Sequence, residues 1–353
     1  MKEYRICLVG YGNIARHLSE LLRNRKDFLR EQYNLGFTIT SISDLEGSAV
    51  AARDASLDET KLAEIVAKRG SITELAEFSP GLTSRDAIEL TDADILIELT
   101  PTKPQDGQPA LDHMLLAFQK GMHVVTANKG PLVTSFRTLL RASERAGKML
   151  KFGCATAAAL PTTNVAYYDL TGCQILGIRG ILNGTSNYIL TTMVEERLEF
   201  ASALEQAQIM GIAEQDPSLD IEGIDTAIKL TILANALYNV DLTLRDAEIT
   251  GIRHLSAAEV ADAFVKGTPY KLIGSAIPSF EGPRVSGVTI KVAPEPVPSS
   301  DPLANVTGTA KGVVFSTDLM GSLFVSGGNS SPTGAAAAIL RDLINLSREE
   351  NRS

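Results

Sequence analysis

The chain has no tryptophan, and aromatic residues make up only 5% of its 353 positions. That argues against a stacking platform for bases or sugar rings, which needs successive aromatic faces. Cysteine is nearly as scarce. Cys7, Cys154 and Cys173 fall in no CxxC or metal-ligand spacing, so they read as small core hydrophobes in a reducing compartment. Surplus positive charge is lacking as well. A net charge of -9 argues against nucleic acid or an anionic membrane as main partner, since both need a basic face. No apolar run approaches the ~18 residues that span a bilayer, and the N-terminus enters a strand pattern with no secretory signal. A cytoplasmic protein is expected.

What remains is an ordinary globular composition, 44% hydrophobic and 21% charged, long enough for two domains. Arg5 to Val9 reads as a short buried strand, followed at once by GYGNIA, Gly10 to Ala15. Ile14, Leu18, Leu21 and Leu22 then recur at helical spacing. Strand, glycine turn and helix is the setting in which Gly-x-Gly-x-x-Ala binds a dinucleotide. Gly10 makes the tight turn, Gly12 admits the pyrophosphate, small Ala15 lets helix and strand close up, and the helix N-terminus offers unpaired N–H groups. A second strand, Phe37 to Ser43, ends in Asp44, placed to bond the ribose hydroxyls and repel a 2′-phosphate. NAD is the expected cofactor, with NADP left open by Arg53.

Ala49 to Phe78 reads as a helical and loop insertion. Further strands are expected at Asp94 to Leu99, Met122 to Val125 and Met149 to Phe152, with helices between them, which makes a doubly wound parallel sheet. Ligands lie beyond the carboxyl ends of such strands, so Thr100, Pro101, Thr102, Asn128 and Lys129 join Gly10, Gly12, Asn13, Ile14 and Asp44 as cofactor-site candidates. After Pro161 the pattern changes to α+β. A strand at Ile175 to Leu182 leads into NGTSNYIL, and long helices follow at Glu199 to Met210, Asp225 to Asn239 and Ser256 to Lys266. Strands are expected within Ile273 to Val292, a rigid loop at Pro294, Pro296 and Pro298, and a hairpin within Val313 to Val325. Residues 1–151, completed by a C-terminal helix at 328–353, would form the dinucleotide-binding domain, and residues 152–327 the substrate and dimerisation domain.

Hydride transfer needs a group that handles the proton. His17, His113, His123 and His254 lie in helix or strand patterns with no obvious carboxylate partner, so lysines at strand ends are better placed. Lys129 follows one such strand. Lys229 follows Gly211 to Leu230, GIAEQDPSLDIEGIDTAIKL, where Glu214, Asp216, Asp220, Glu222 and Asp225 crowd within a dozen residues. Pro217, Gly223 and the Asp-Pro step favour a loop through the first half. Asp225 and Lys229 should then share a helix face as an i,i+4 pair. Alone, the stretch fits a solvated acidic cap as well as it fits a carboxylate site for an ammonium-bearing substrate.

Together, GYGNIA, ELTPT, GMHVVTANKGP, ILNGTSNYIL, the acidic stretch, YKLIGSA (270–276) and DPLANVTGT (301–309) resemble the homoserine dehydrogenase family along nearly the whole chain. The resemblance is to the short form lacking a C-terminal ACT domain. It implies NAD(P)-dependent interconversion of L-aspartate 4-semialdehyde and L-homoserine in threonine, methionine and isoleucine synthesis. It assigns Lys229 and Lys129 as the lysines near the reacting carbonyl and leaves open which of them donates the proton, Lys229 being preferred. Glu214, Asp220, Asp225, Gly184 and Thr185 become the substrate contacts, and a homodimer through the strands within Ile273 to Val325 is implied. The family's sodium site would fall at Cys154–Ala159, where this chain has no carboxylate and only backbone carbonyls could serve. A glucose-fructose oxidoreductase type of enzyme shares the Gly-x-His-Val frame before Lys129, but a sugar has no ammonium to occupy so many carboxylates. A non-catalytic NAD-sensing protein would not need the intact lysines and acids.

Overall fold

The computed structural model describes residues 1–328 and 331–351. The chain divides into two compact units, Met1–Ala155 with Ser331–Ser353, and Thr156–Ser330. The first carries a seven-stranded sheet built from β1 (Lys2–Val9), β2 (Leu35–Asp44), β3 (Gly47–Val50), β4 (Phe78–Pro80), β5 (Ile95–Glu98), β6 (His123–Thr126) and β7 (Leu150–Lys151). Its order is β4-β3-β2-β1-β5-β6-β7. Both faces of the central strands are covered, so Ile6, Leu8, Ile95, Ile97, Val124 and Val125 are all buried and the strands read as continuous apolar runs without alternation. β1 pairs in parallel with β2 on one side and with β5 on the other. The winding therefore reverses at β1, and a crevice opens at its carboxyl end, where open α/β sheets bind their ligands.

The fold is the expected doubly wound α/β sheet with an α+β partner, with two local corrections. The stretch from Ala49 to Phe78 is not only helix and loop. β3 pairs antiparallel with β2 and with β4, strands too short to show a period in sequence. The helices Asn13–Asn24 and Lys26–Tyr33 account for the long separation between the glycine turn and Asp44. In the second unit Pro294 and Pro296 belong to a strand, not to a rigid loop.

That unit holds β8 (Ile175–Ile181), β9 (Ala247–Ile249), β10 (Tyr270–Glu281), β11 (Arg284–Pro296), β12 (Lys311–Thr317) and β13 (Ser322–Gly327), ordered β13-β12-β8-β10-β11-β9. Pro294 lies opposite Leu272 and Pro296 opposite Tyr270. The Val297 N–H donates to Pro269 on the β10 side, so by the period of two the missing N–H groups of both prolines would point away from β10. There β9 pairs with β11 only at Ile290 to Val292, and the edge is open to proline. One face of the sheet packs against the helices Gly184–Glu195 and Ile224–Tyr238, with Phe200–Ile209 laid on the first of them, and Ile178, Leu190, Leu230, Leu272, Val313 and Phe315 sit in a shared core. Ile224–Tyr238 is buried almost end to end.

The closing helix Pro332–Glu350 belongs to the first unit and is fastened to it at both strands and termini. Glu350 accepts from Lys2 at 2.7 Å and from the Tyr4 hydroxyl at 2.6 Å, and Glu349 from Lys151 at 2.5 Å. Deeper in the helix, Asp342 is buried and accepts the Gly153 backbone N–H at 2.8 Å. Burial raises its carboxyl from the ordinary 3.8 to about 6, against the opposing pull of Arg341 and the backbone N–H of Gly153. A folded-state pKa above the unfolded one means that the folded form holds the proton more tightly. The associated stability is fully present below pH ~4 and is lost as pH rises through ~6. Asp342→Asn removes this titration. The stability of the native chain relative to that variant should fall by about 3 kcal/mol between pH 4 and pH 7, read as the difference between their urea unfolding free energies. A flat difference would mean that Asp342 is not strained by burial.

Candidate active site

In the first unit, Gly10 sits where β1 ends. Its φ is +92°, and a Cβ there would come within 2.7 Å of the Leu99 and Thr100 backbone, so only glycine fits. Gly12 is different. It has an ordinary φ of -84°, and an added Cβ would meet nothing within 4 Å. It precedes the helix Asn13–Asn24, whose N-terminus has no side-chain cap. Unpaired N–H groups beside open space form an anion cradle. Asn13 is exposed, Ile14 half-buried and Ala15 buried beneath them. Asp44, at the end of β2, accepts the Leu45 N–H through Oδ1 at 2.8 Å, and Arg53 is exposed in the turn after β3.

The turns after β5 and β6 are stitched together by one amide. Asn128 Nδ2 donates to the Thr100 carbonyl at 3.0 Å, the Thr100 hydroxyl at 3.1 Å and the Pro101 carbonyl at 3.3 Å. Its Oδ1 accepts the Gly130 N–H and so caps the helix Lys129–Thr134. The Lys129 N–H donates to the Thr102 hydroxyl at 3.3 Å, and Lys129 itself is half-buried. The expected candidates Thr100, Pro101, Thr102, Asn128 and Lys129 are therefore brought into one cluster. The expectation that the histidines lack carboxylate partners is corrected. His113 Nδ1 lies 2.8 Å from Glu98 Oε2, and His123 Nε2 lies 3.3 Å from Glu350 Oε1.

In the second unit the acidic stretch is more ordered than a loop. Pro217 opens a single helical turn, Ser218–Ile221, and Gly223, at φ +80°, turns the chain into Ile224–Tyr238. Proline is tolerated there because the first N–H groups of a helix have no partner anyway. These two helix starts place Asp220 and Asp225 around Asn183, which follows β8. Asn183 Nδ2 donates to Asp220 Oδ1 at 2.5 Å and to Asp225 Oδ2 at 2.9 Å, while its Oδ1 accepts the Ser186 N–H and caps Gly184–Glu195. The i,i+4 pair forms as expected: Lys229 Nζ lies 2.5 Å from Asp225 Oδ2 and donates to the Leu182 carbonyl at 2.9 Å. Thr185, half-buried beside buried Gly184, donates to the Ile212 carbonyl at 3.1 Å.

Two carboxylates here face one ammonium. Burial, and next the charge of Asp225, raise the Asp220 carboxyl above its ordinary value, against the hydrogen bond from Asn183 and the charge of Lys229. Such a group gains from an added cation. Not every predicted acid joins the cluster. Glu214 is exposed, and only its backbone carbonyl is engaged, by Gln208. Asp216 accepts from the Ser218 N–H and hydroxyl, and Glu222 pairs with Arg253 at 2.7 Å, so both shape the stretch. Asn183 was missed as a site residue. Its signal was the N-cap position of NGT at a strand end. At Cys154–Ala159, the Ala157 carbonyl already accepts the Lys311 ammonium at 3.0 Å and the Leu160 N–H at 3.3 Å. The segment contributes no carboxylate, so only its backbone carbonyls could hold a monovalent cation. Among the described residues no group of three or more His, Cys, Asp or Glu side chains could hold a metal ion.

A doubly wound sheet with this glycine turn, joined in one chain to an α+β unit with a lysine-carboxylate cluster, defines a nicotinamide-dependent oxidoreductase. Residues 10–152 match the family model for the homoserine dehydrogenase NAD binding domain, and residues 161–344 that for homoserine dehydrogenase. The chain belongs to the homoserine dehydrogenase family. It is 38% identical over 341 residues to homoserine dehydrogenase of Methanocaldococcus jannaschii, covering 97% of this chain and 98% of that protein. It is 34% identical over 352 residues to NAD(+)-dependent homoserine dehydrogenase of Pseudomonas canavaninivorans, covering 100% and 98%. A solved homoserine dehydrogenase from Thiobacillus denitrificans matches with a TM-score of 0.83 at 28% identity, covering 100% of this chain and 75% of that one.

Proposed function

We propose that the protein interconverts L-homoserine and L-aspartate 4-semialdehyde with NAD as the preferred cofactor. The observation that carries this reading is the Asp220–Asn183–Asp225–Lys229 cluster. Its carboxylates outnumber its ammonium group, and the α-ammonium of an amino-acid substrate would balance them. Gly184 and Thr185 line the same strand-end turn, and Glu214, exposed on the same acidic stretch, is the third acid assigned to the substrate.

NAD supplies the hydride acceptor when bound, at Gly10, Gly12, Asn13 and Ile14 for the phosphates, Asp44 for the ribose, and Thr100 to Thr102, Asn128 and Lys129 at the nicotinamide end. Asp44 and the NAD(+)-dependent relative support NAD over NADP. Lys229 has three N–H donors, of which the Asp225 carboxylate and the Leu182 carbonyl take two. The third is directed to the substrate oxygen in this reading. It polarises the carbonyl and protonates the developing alkoxide during reduction, and it receives the hydroxyl proton back during oxidation through the neutral amine. Lys129 is the second lysine that the motif match assigns to the reaction.

We further propose a cytoplasmic homodimer, formed through the strands within Ile273 to Val325, where Ile277 stands 46% exposed on β10. Purified protein given L-homoserine and either NAD or NADP, in sodium and in potassium salts, should produce reduced nicotinamide, followed by its absorbance, and kcat/KM should be higher with NAD. Absence of turnover with both cofactors would overturn the proposal.

A further inference from the structure

Glu98 is the last residue of β5, wholly buried, and no step above uses it. Its Oε1 accepts the Thr100 backbone N–H at 2.8 Å and also the Thr100 hydroxyl, and its Oε2 faces His113 Nδ1 at 2.8 Å. The Thr100 hydroxyl accepts from Asn128 Nδ2 at 3.1 Å, so its one proton is left for Glu98. Oε1 is thus saturated by two donors, and with the His113 tautomer that carries its proton on Nδ1 the second oxygen is a pure acceptor too, which is the bonding of an ionised carboxylate beside a neutral imidazole. Burying a charge is costly, and a neutral glutamine could hold the same turn. The charge itself calls for a use.

The use follows from position. Ligands of this sheet lie beyond the carboxyl ends of β1 and β5, and the oxidised nicotinamide ring carries a positive charge that the reduced ring lacks. A fixed anion at the end of β5 attracts the first and is indifferent to the second. We propose that Glu98 sets the preference of this site for oxidised over reduced nicotinamide, while His113 and Thr100 hold its carboxylate in place. The inference rests on the reading of the first unit as the dinucleotide site and deepens it. Glu98 acts through its field and need not touch the cofactor.

The test is equilibrium binding to the whole chain by titration calorimetry with NAD+, NADH and ADP-ribose, which has no nicotinamide. Glu98→Gln keeps the shape and removes the charge. Its dissociation constant for NAD+ is expected to rise about tenfold, as for one charge pair about 12 Å apart at an effective dielectric near 20. Those for NADH and ADP-ribose should move less than twofold. Equal weakening of all three, or no change in any, overturns the inference, because a structural staple would not separate the two redox forms. His113→Asn removes the imidazole and leaves the carboxylate, so it provides a second arm if the first variant does not fold. It should keep or strengthen the preference for NAD+, and loss of that preference with Glu98 intact overturns the inference. A native protein that binds none of the three ligands overturns the dinucleotide reading itself, a result distinct from any shift in the ratio.

Discussion

Lys229→Ala is expected to lower kcat/KM for homoserine oxidation about a thousandfold, or roughly 4 kcal/mol of transition-state stabilisation. The estimate follows from its anchoring. The ammonium is tied to Asp225 and to the Leu182 carbonyl, and its side chain is only 14% exposed, so no other cation can drift into its place. If Lys229 moves the proton, the loss falls mainly on kcat. A raised KM with kcat intact would mean that it only binds substrate. Asp216→Ala is the matched control in the same stretch. Asp216 is exposed and bonds only Ser218, so its removal should change kcat/KM by no more than about threefold, the scale of a surface change. Comparable losses in the two variants would show that the acidic stretch has been assigned to the wrong residues.

The second large effect separates two glycines that look alike in sequence. Gly10→Ala puts a methyl group 2.7 Å from the Leu99 and Thr100 backbone at a φ of +92°. Neither strand can yield without shifting the β1–β5 pairing, so about 2–4 kcal/mol of stability should be lost, and NAD binding with it. Gly12→Ala meets no neighbour within 4 Å, and its backbone suits any residue. Its unfolding free energy should stay within about half a kcal/mol of native, while NAD affinity falls at least tenfold, because the methyl fills the space a pyrophosphate would use. Thermal unfolding and NAD titration on both variants check this. A Gly12→Ala protein that binds NAD normally would displace the phosphate site from this turn.

The same contrast shows what a sequence exposes. Gly10, Gly12 and Ala15 are adjacent along the chain, so their roles are written in spacing. The i,i+4 pair of Asp225 and Lys229 is legible for the same reason. The bridging amide of Asn183 is not, because its partners lie 37 and 42 positions away and only folding of β8 against two helix starts brings them together. His113 reaches Glu98 across 15 positions, from a helix that packs back on its own strand. β3 and β4 are too short for a period, and Pro294 and Pro296 mislead because strand edges tolerate what strand centres do not. The fold class came from long, repeated patterns. The inner contacts of the site came only from three-dimensional proximity.

The helix Pro332–Glu350 has a bearing on how the protein is made. The β1 residues Lys2 and Tyr4 leave the ribosome long before their partner Glu350, which is synthesised more than 340 residues later. Asp342 likewise reaches Gly153 only after the whole of Thr156–Ser330 has been translated. The first unit has all seven of its strands by Lys151, but it receives the helix that packs on Asn13–Asn24, β6 and β7 only after the second unit has been made. Vectorial synthesis thus lets the later unit complete its sheet before the earlier one gains its last helix.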